Sequence, residues 1–408
     1  MACMSTLDRP QLRQDLSAKP AGTMYTLFDP RGVGVQVNVS AVALHLASQY
    51  FDGTRTLAEI FKEAQQFLPN VKLDLETLRH LVNTLDEALL LDGPSFRSLV
   101  DCPVRPAICL GTYDDDPDQL RAQLEHLFTA PGGPGLPKVG SRIATRGSER
   151  LRAVLVPHMD YRRGNICYGW GFKELVERTD ASLFVIVATS HYSPERFTLT
   201  RQHFATPLGV IETDQPYIDR LVKHYGEGLF DDPIAHLPEH SVELEVVLLQ
   251  ALFANVRPIR IVPLVVGSYA DCIEDGVSPR NSGDVARMIE AVRLAEAEAG
   301  EPVCTIISGD LAHIGPKFGD SHKVTSPTLE RSRLKDEEIL ERATAADANG
   351  YYHVIAEEAD RRRICGLPPT YLALEALKPQ RGKLLNYQQY VHPEGHESVS
   401  FASMAFEG

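Results

Sequence analysis

Hydrophobic and polar residues follow two different patterns along the chain, and the pattern changes near residue 102. Before that point the pattern is short and modular. Alternating valines between residues 33 and 39 follow a DPRG turn, which is typical of a β-hairpin. Three stretches with helical spacing come next, and the second begins with the capping-box pair Thr56 and Glu59. This order predicts a small winged-helix-like α+β domain over residues 1–102.

From residue 151 onward, apolar runs alternate with amphipathic stretches. The runs read LRAVLVP, SLFVIVATS, IRIVPLVVGS and VCTIISGD, and stretches such as SVELEVVLLQALF lie between them. Strands that alternate with helices predict an α/β fold with a mostly parallel, buried sheet flanked by helices. We therefore predict that residues 103–408 form this second domain.

Composition limits the classes of partner and compartment. The 408 residues carry a formal net charge of -14, which argues against a broad surface for nucleic acid or for an anionic membrane. Seven scattered cysteines without a CxxC pair fit a reducing compartment, and neither a signal sequence nor a spanning apolar run is present. We expect a cytoplasmic protein.

Histidines and carboxylates follow the predicted strands at the point where each strand ends. They are His158 after AVLVP, His191 after FVIVATS, and Asp310 and His313 after TIISG, while Glu239 and His240 open a helix in PEHSVELE. Ligands of open α/β sheets bind beyond the carboxyl ends of the strands. Four separate segments thus deliver these side chains to one edge of one sheet, and the sequence predicts a functional site there.

The chemistry that needs such a cluster is metal binding. Neutral imidazole is the commonest nitrogen ligand for iron, copper and zinc, and two histidines with one carboxylate bind Fe(II) in non-haem oxygenases. The candidate ligands lie far apart along the chain, so their spacing does not identify the metal. The sequence contains no HExxH, GxSxG or P-loop motif.

Five motifs in a fixed order resemble those of the Memo family, known in prokaryotes as AmmeMemoRadiSam system protein B. They are HMDYRRGNICYGW, ATSHY, EHSVELE, SGDLAHIG and RRICGLPP, and the resemblance runs from about Arg105 to the C-terminus. It implies the fold of the class III extradiol dioxygenases, which bind Fe(II) and O2 at the end of an α/β sheet.

The resemblance also implies roles for individual residues. His158 and His191 match the two metal histidines, and His240 matches the histidine that acts as general acid/base in the dioxygenase relatives. The third metal position is a cysteine in animal members, but Ala312 occupies it here. Copper-thiolate chemistry is therefore in doubt, because this position offers no soft sulfur. We predict that His240, Asp310 or His313 completes the metal set.

Other residues of the matched motifs are expected to surround the site. Asp160, Tyr161, Tyr192 and Glu239 are predicted to line the substrate pocket or to orient the ligands. Cys365, in RRICGLPP, is expected to be a buried residue at the start of a helix.

The first domain resembles the PqqD-like family in the stretches FDPRG, FDGTRTLAEI and LVNTLDEALLLD. The resemblance implies peptide binding along a strand edge and a helix. A fold-stabilising or dimerising appendage is the alternative. DNA binding is disfavoured because the third helical stretch, DLETLRHLVNTLDEALL, is acidic.

These observations lead to one hypothesis and two alternatives. The hypothesis is an Fe(II)-dependent oxidoreductase that activates O2 and acts on a peptide presented by the first domain. The first alternative is a non-catalytic scaffold for a peptide or phosphopeptide. The second is a zinc hydrolase on the same ligands, and copper is the remaining candidate metal.

Overall fold

The computed structural model describes residues 7–67, 73–138, 149–253 and 256–408. The chain forms two compact units, Met1–Pro103 and Val104–Gly408. Within the described ranges, none of the helices combines the length and the apolar character needed to cross a membrane.

In its described part, the first unit contains three antiparallel strands and four helices. The elements are β1 (Ser17–Ala21), β2 (Met24–Phe28), β3 (Val37–Ser40), α1 (Ala41–Tyr50), α2 (Leu57–Phe67), α3 (Leu75–Glu87) and α4 (Pro94–Val100). The strand order is β1-β2-β3. The structure adds β1 and α4 to the elements that the sequence pattern predicts.

Local sequence signals account for the helix starts in this unit. The predicted capping box is confirmed, because the backbone N–H of Thr56 donates to the Glu59 carboxylate and the N–H of Glu59 donates to the Thr56 hydroxyl. Asp74 caps α3 by accepting from the N–H of Thr77. The apolar faces of the helices pack on β2 and β3 around Leu46, which is buried.

The second unit is built on one large sheet. Its strands are β4 (Val104–Arg105), β5 (Leu151–Val156), β6 (Leu183–Thr189), β7 (Phe197–Leu199), β8 (His203–Thr206), β9 (Gly209–Thr213), β10 (Arg260–Val266), β11 (Val303–Ser308), β12 (His313–Ile314), β13 (Arg381–Val391) and β14 (Ser398–Glu407). Its helices are α5 (Pro117–Thr129), α6 (Tyr161–Gly164), α7 (Ile166–Arg178), α8 (Gln215–Tyr225), α9 (His240–Phe253), α10 (Ala270–Glu274), α11 (Gly283–Ala297), α12 (Ser326–Thr344), α13 (Ala348–Glu357) and α14 (Leu367–Leu377).

The centre of the sheet is parallel, in the order β5-β11-β6-β10. Antiparallel strands extend it on both sides: β14 pairs with β5 and β13 with β14, while β8 pairs with β9 beyond β10. The four apolar runs of the sequence are these four central strands. The predicted fold class, a mostly parallel sheet flanked by helices, is confirmed.

Strand β6 shows why the sheet is covered on both faces. All seven of its residues are buried. Leu183, Val185 and Val187 contribute to one apolar cluster together with α8, α11 and α14, whereas Phe184 and Ile186 contribute to the other together with α5, α7 and α9. Successive side chains of a strand point to opposite faces, so an unbroken apolar run is the expected sequence of a strand between two helical layers.

Candidate metal centre

The predicted histidines meet at the carboxyl edge of the parallel strands. Strands β5, β6 and β11 are neighbours in the sheet, and His158, His191 and Asp310 each lie two residues beyond the end of one of them. His240 is the first residue of α9 and reaches the same edge. The topology therefore brings together four of the residues that the sequence predicts to meet.

Three imidazole rings form the centre of this site. The ring centroids of His158 lie 5.0 Å from His191 and 5.4 Å from His240, and those of His191 and His240 lie 4.6 Å apart in a stacked arrangement. One ligand atom from each of the three residues lies within 4.8 Å of the others. Three nitrogen donors at such distances can share one metal ion.

Glu239 lies behind two of these rings and is almost completely buried. Its carboxylate accepts from the backbone N–H of His191 at 2.8 Å and from the N–H of Ser241 at 3.1 Å, and lies 2.9 Å from Nδ1 of His191. Nδ1 of His240 lies 3.5 Å from the same carboxylate. A carboxylate behind a metal-binding histidine fixes its tautomer, so Nε2 of both rings is left to face a metal.

The same carboxylate sets the charge of this side of the site. Burial lowers the pKa of His191, but the charge and the hydrogen bond of Glu239, together with the charge of Asp310, offset this, and the pKa ends above its ordinary value. Burial alone would raise the pKa of Glu239, yet the neighbouring His191 holds it well below its usual range. Glu239 is therefore ionised at neutral pH.

His158 and His240 remain neutral imidazoles. Burial, together with the neighbouring His191, places the pKa of His158 well below its ordinary value and lowers that of His240 to about 4. Nδ1 of His158 lies 3.3 Å from the Ser308 hydroxyl, so its Nε2 is free for other partners. Neutral imidazole is the form that binds metal ions, and these two side chains need not lose a proton to do so.

Asp310 and Cys365 both approach Nε2 of His158. The Asp310 carboxylate lies 3.6 Å from this nitrogen and the Cys365 sulfur lies 3.2 Å from it. Asp310 also accepts from the backbone N–H of His158. Burial raises the pKa of Asp310 to about 7, so near neutral pH this carboxyl group is divided between its acid and its anion.

His313 stands at the wall of the site as a neutral ring. Its Nδ1 lies 3.0 Å from the carbonyl oxygens of both Leu311 and Arg363, which makes Nδ1 the protonated nitrogen. Burial lowers the pKa of His313 to about 4. Its Nε2 is therefore the nitrogen that can accept a proton.

The rings open into a cavity of about 400 Å³. At its mouth the Glu397 carboxylate pairs with Lys317 and lies 3.7 Å from the Arg163 guanidinium, which also pairs with Asp160. The charges of the mouth are thus matched in pairs. The full lining consists of Thr112, His158, Met159, Asp160, Arg163, His191, His240, Asp310, His313, Lys317, Phe318, Glu397 and Val399.

The residues predicted to line the substrate pocket lie in different places. Asp160 lines the cavity. Tyr161 instead lies in the core, where its hydroxyl donates to the carbonyl of Leu244 at 2.6 Å, because the first turn of α6 points it away from the opening. Glu239 lies behind the histidines, and the partly exposed ring of Tyr192 lies 6.0 Å from that of His191.

Sequence reasoning missed the position of Cys365, which it treated as a buried residue at a helix start. The residue does precede α14, but its sulfur touches a metal-ligand candidate that is 207 residues away along the chain. Its place in one of the five matched motifs was the signal that could have identified it. No such signal marks Lys317 or Glu397.

A buried ion pair fixes the segment that carries Thr112. The guanidinium of Arg105 and the carboxylate of Glu243 pair without exposure to solvent. The carboxylate also accepts from the backbone N–H groups of Ile108 and Cys109, at 3.1 and 2.8 Å, and from the Tyr113 hydroxyl. Helix α9 therefore holds both His240 and one wall of the cavity in place.

Comparison with known proteins agrees with this architecture. The family model described as Memo-like protein matches residues 105–405. A MEMO1 family protein of Aquifex aeolicus is 27% identical and covers 95% of this chain and 97% of its own length. Those of Methanothermobacter thermautotrophicus and Methanopyrus kandleri are 30% and 28% identical, covering 69% and 74% of this chain and 92% and 98% of their own lengths. The alignment to the Aquifex protein exceeds the second unit and so includes part of the first.

Proposed function

Since the chain belongs to the Memo-like protein family, we propose that it is a mononuclear non-haem metal oxidoreductase that activates O2, with Fe(II) as its metal. The observation that carries this proposal is the group formed by His158, His191 and His240, whose ligand atoms lie within 4.8 Å of one another above a buried carboxylate. Imidazole nitrogens are ligands that suit iron, and the Asp310 carboxyl group, 3.6 Å from Nε2 of His158, is left beside the metal for proton transfer.

The protonation and the orientation of the three imidazoles suit an Fe(II) ion. Two of the three imidazoles are neutral, the third is oriented by Glu239, and all three face one cavity. Fe(II) held there would supply the one-electron chemistry that O2 requires. Zinc or copper could occupy the same donors, and metal analysis distinguishes them.

The protein's own residues would bind the substrate and move protons. His313 presents an unprotonated Nε2 at the cavity wall and could accept a proton from a bound substrate. Asp310, with a pKa of about 7, could hold or release one near neutral pH. With His240 among the metal ligands, we assign the acid/base role to His313 and Asp310 rather than to His240.

We also propose that the first unit presents a peptide. Two features support this: the PqqD-like sequence pattern and the position of β1 at the edge of its three-stranded sheet, with residues 18–21 exposed. A cavity of about 400 Å³ accepts one side chain or a small molecule, which fits a peptide substrate. The described cysteines form no disulfide, in keeping with a cytoplasmic protein.

Peptide presentation is tested by amide hydrogen exchange of β1 in the intact protein, with and without a pool of short random peptides. Slower exchange over Ser17–Ala21 supports a binding edge. Unchanged exchange, together with dimerisation through the first unit, would favour the appendage alternative.

Elemental analysis of protein purified anaerobically without added metal tests the metal assignment. We expect roughly stoichiometric iron in the wild type, loss of iron in His158→Ala and His191→Ala, and retention in His126→Ala, whose side chain is exposed on α5. Oxygen consumption should follow the iron content. Zinc in place of iron would move the assignment to a hydrolase, and the absence of any metal would overturn the enzyme in favour of a binding scaffold.

A further inference from the structure

A second group of metal-ligand candidates shares His158 with the first. The ligand atoms of His158, Asp310 and Cys365 lie within 4.8 Å of one another. Both the Cys365 sulfur, at 3.2 Å, and the Asp310 carboxylate, at 3.6 Å, approach the same nitrogen, Nε2 of His158. Among the cysteines that the structure describes, only Cys365 belongs to such a group.

These separations match the edges of a coordination polyhedron. Around a tetrahedral ion, typical metal–ligand lengths place a nitrogen and a sulfur donor about 3.5 Å apart and a nitrogen and an oxygen donor about 3.4 Å apart. The observed 3.2 and 3.6 Å lie close to these values. A metal bound to Nε2 of His158 would therefore meet the sulfur without a large movement of either element.

We propose that Cys365 is a thiolate ligand of the metal bound to Nε2 of His158, so that this metal has both a nitrogen and a sulfur donor. The proposal rests on the metal centre proposed above. Cys365 would supply a soft sulfur donor, which Ala312 cannot, from a different segment of the chain.

The backbone around Cys365 is built to bring the sulfur to this place. A Cβ atom at Gly309 would lie 2.5 Å from the Cα of Gly366, so the two backbones can meet only because both residues are glycine. The N–H of Gly366 donates to the carbonyl of Asp310 at 2.8 Å, and the Thr189 hydroxyl donates to the carbonyl of Cys365 at 2.8 Å. The cysteine is thus tied to the ends of two strands, β11 and β6.

The loop before Cys365 is held in an unfavourable conformation. Ala359, Asp360 and Arg363 have φ angles of 51°, 45° and 54°, in the left-handed region that side chains other than glycine rarely adopt. Such strain persists where the surrounding structure holds it, and it occurs often at functional sites.

Metal binding would change the state of the thiol. Burial and the nearby Asp310 carboxylate raise the pKa of Cys365 well above its ordinary value, so the free side chain is a neutral thiol. On binding, the S–H bond breaks, a metal–sulfur bond forms, and the proton passes to solvent. No electron is transferred in this step.

Cobalt(II) titration under anaerobic conditions tests the proposal, because Co(II) bound to thiolate gives a charge-transfer band in the near ultraviolet. We expect the intact wild-type protein to show this band together with the visible ligand-field bands. Cys365→Ser and Cys365→Ala should lose the charge-transfer band, keep the ligand-field bands and bind cobalt about tenfold more weakly or worse. Cys167→Ser is the control, because Cys167 is a cysteine of the same unit that is buried, and its sulfur lies against the Ser403 hydroxyl.

The outcomes separate this proposal from the metal centre itself. Ligand-field bands that depend on His158 without a charge-transfer band in the wild type, or a band that persists in Cys365→Ser, would overturn the thiolate and leave the histidine site standing. No cobalt binding at all would overturn both.

A second measurement does not depend on the fold of a variant. Cys365 also lines a separate cavity of about 290 Å³, together with Ser190, His191 and Tyr269. A small organomercurial, which displaces the thiol proton as the mercury–sulfur bond forms, should reach Cys365 by this route in the wild-type protein, and cobalt should slow the reaction. Peptide mapping by mass spectrometry reports the modification, and equal rates with and without bound cobalt would contradict the proposal.

Discussion

Four buried carboxyl groups lie on the elements that carry the metal centre, and they form two contrasting pairs. Glu239 and Glu243 are each surrounded by hydrogen-bond donors, two from the backbone and others from side chains. Asp310 accepts from the backbone N–H of His158, and among the residues that the structure describes neither carboxyl oxygen of Glu245 has a hydrogen-bond partner. All four are less than 3% exposed, so burial alone does not distinguish the pairs.

Local hydrogen-bond donors, rather than depth below the surface, decide what a buried carboxyl group does. Glu239 and Glu243 hold His191 and Arg105 in place and serve as anchors. Burial raises the pKa of Asp310 to about 7 and that of Glu245 well above its ordinary value, since few donors stabilise the charge. Asp310 and Glu245 can therefore carry protons at pH values where Glu239 remains charged.

The largest expected effect is the loss of an anchor. Glu243→Ala leaves the Arg105 guanidinium buried without its carboxylate, and removing one partner of a buried pair costs about 3–5 kcal/mol. Urea unfolding followed by fluorescence measures the loss, because the single tryptophan, Trp170, lies in α7 of the second unit. Glu125→Ala, on the exposed face of α5, is the control. A loss below about 1 kcal/mol would show that the pair is not an anchor.

The second largest effect is expected on the affinity of the histidine site for its metal. Glu239→Gln removes the charge that raises the pKa of His191, and loss of such a supporting carboxylate weakens metal binding about 10–100-fold. Competition with a chromophoric chelator measures the affinity.

The same variant has a pH signature. In the wild type a metal must displace the His191 proton below its raised pKa, so affinity should fall about tenfold per pH unit as the pH decreases. In Glu239→Gln this fall should begin at a lower pH, and NMR of the imidazole should show the lowered pKa. Identical pH profiles would mean that Glu239 does not control His191.

Glu245, which has few hydrogen-bond donors around it, should make the stability of the protein depend on pH. Glu245 stays protonated in the folded protein at pH values where the unfolded chain ionises, above its ordinary pKa of 4.5. The contribution of protonated Glu245 to the free energy of unfolding is complete below that pH. It is lost as the pH rises toward the pKa of Glu245 in the folded protein, by up to about 1.4 kcal/mol per pH unit. Glu245→Gln should lack this loss. Urea unfolding at several pH values between 5 and 7 tests it, and parallel curves for the two proteins would contradict it.

The smallest effect is expected at the mouth of the cavity. Lys317 is about half exposed and pairs with Glu397, which also lies 3.7 Å from Arg163. Because the lysine end of this pair is half exposed and the Arg163 guanidinium still lies beside Glu397 without it, Lys317→Ala should change the free energy of unfolding by less than about 1 kcal/mol. A loss of twice that size would place Lys317 among the anchors.

Much of the fold was predictable because buried strands have a simple signature. The four central strands are mostly apolar runs, and histidines follow the ends of β5 and β6, so the convergence of His158 and His191 followed from the topology of parallel sheets. The outer strands of the sheet were less predictable. The hairpin of β13 and β14 mixes polar and apolar residues, and its antiparallel pairing to β5 depends on contacts across more than 200 residues.

The part of the site that the sequence did not reveal depends on backbone contact. Cys365 reaches His158 because Gly309 and Gly366 meet, and no periodic pattern records such a meeting. The place of Tyr161 was missed for a related reason: a tyrosine next to a ligand histidine can turn toward the opening or the core, and the short helix α6 decides between them.

Arg105 has a consequence for the order in which the second unit assembles. This residue lies at the start of the unit, yet its guanidinium binds the carbonyls of His236, Leu237 and Glu239 and the carboxylate of Glu243, between 131 and 138 residues later. During synthesis the Arg105 guanidinium therefore stays hydrated, without its partners, until the residues of α9 have been added to the chain. Because contacts between distant segments form slowly, the wall of the cavity should close among the last steps of folding, after the central strands have paired.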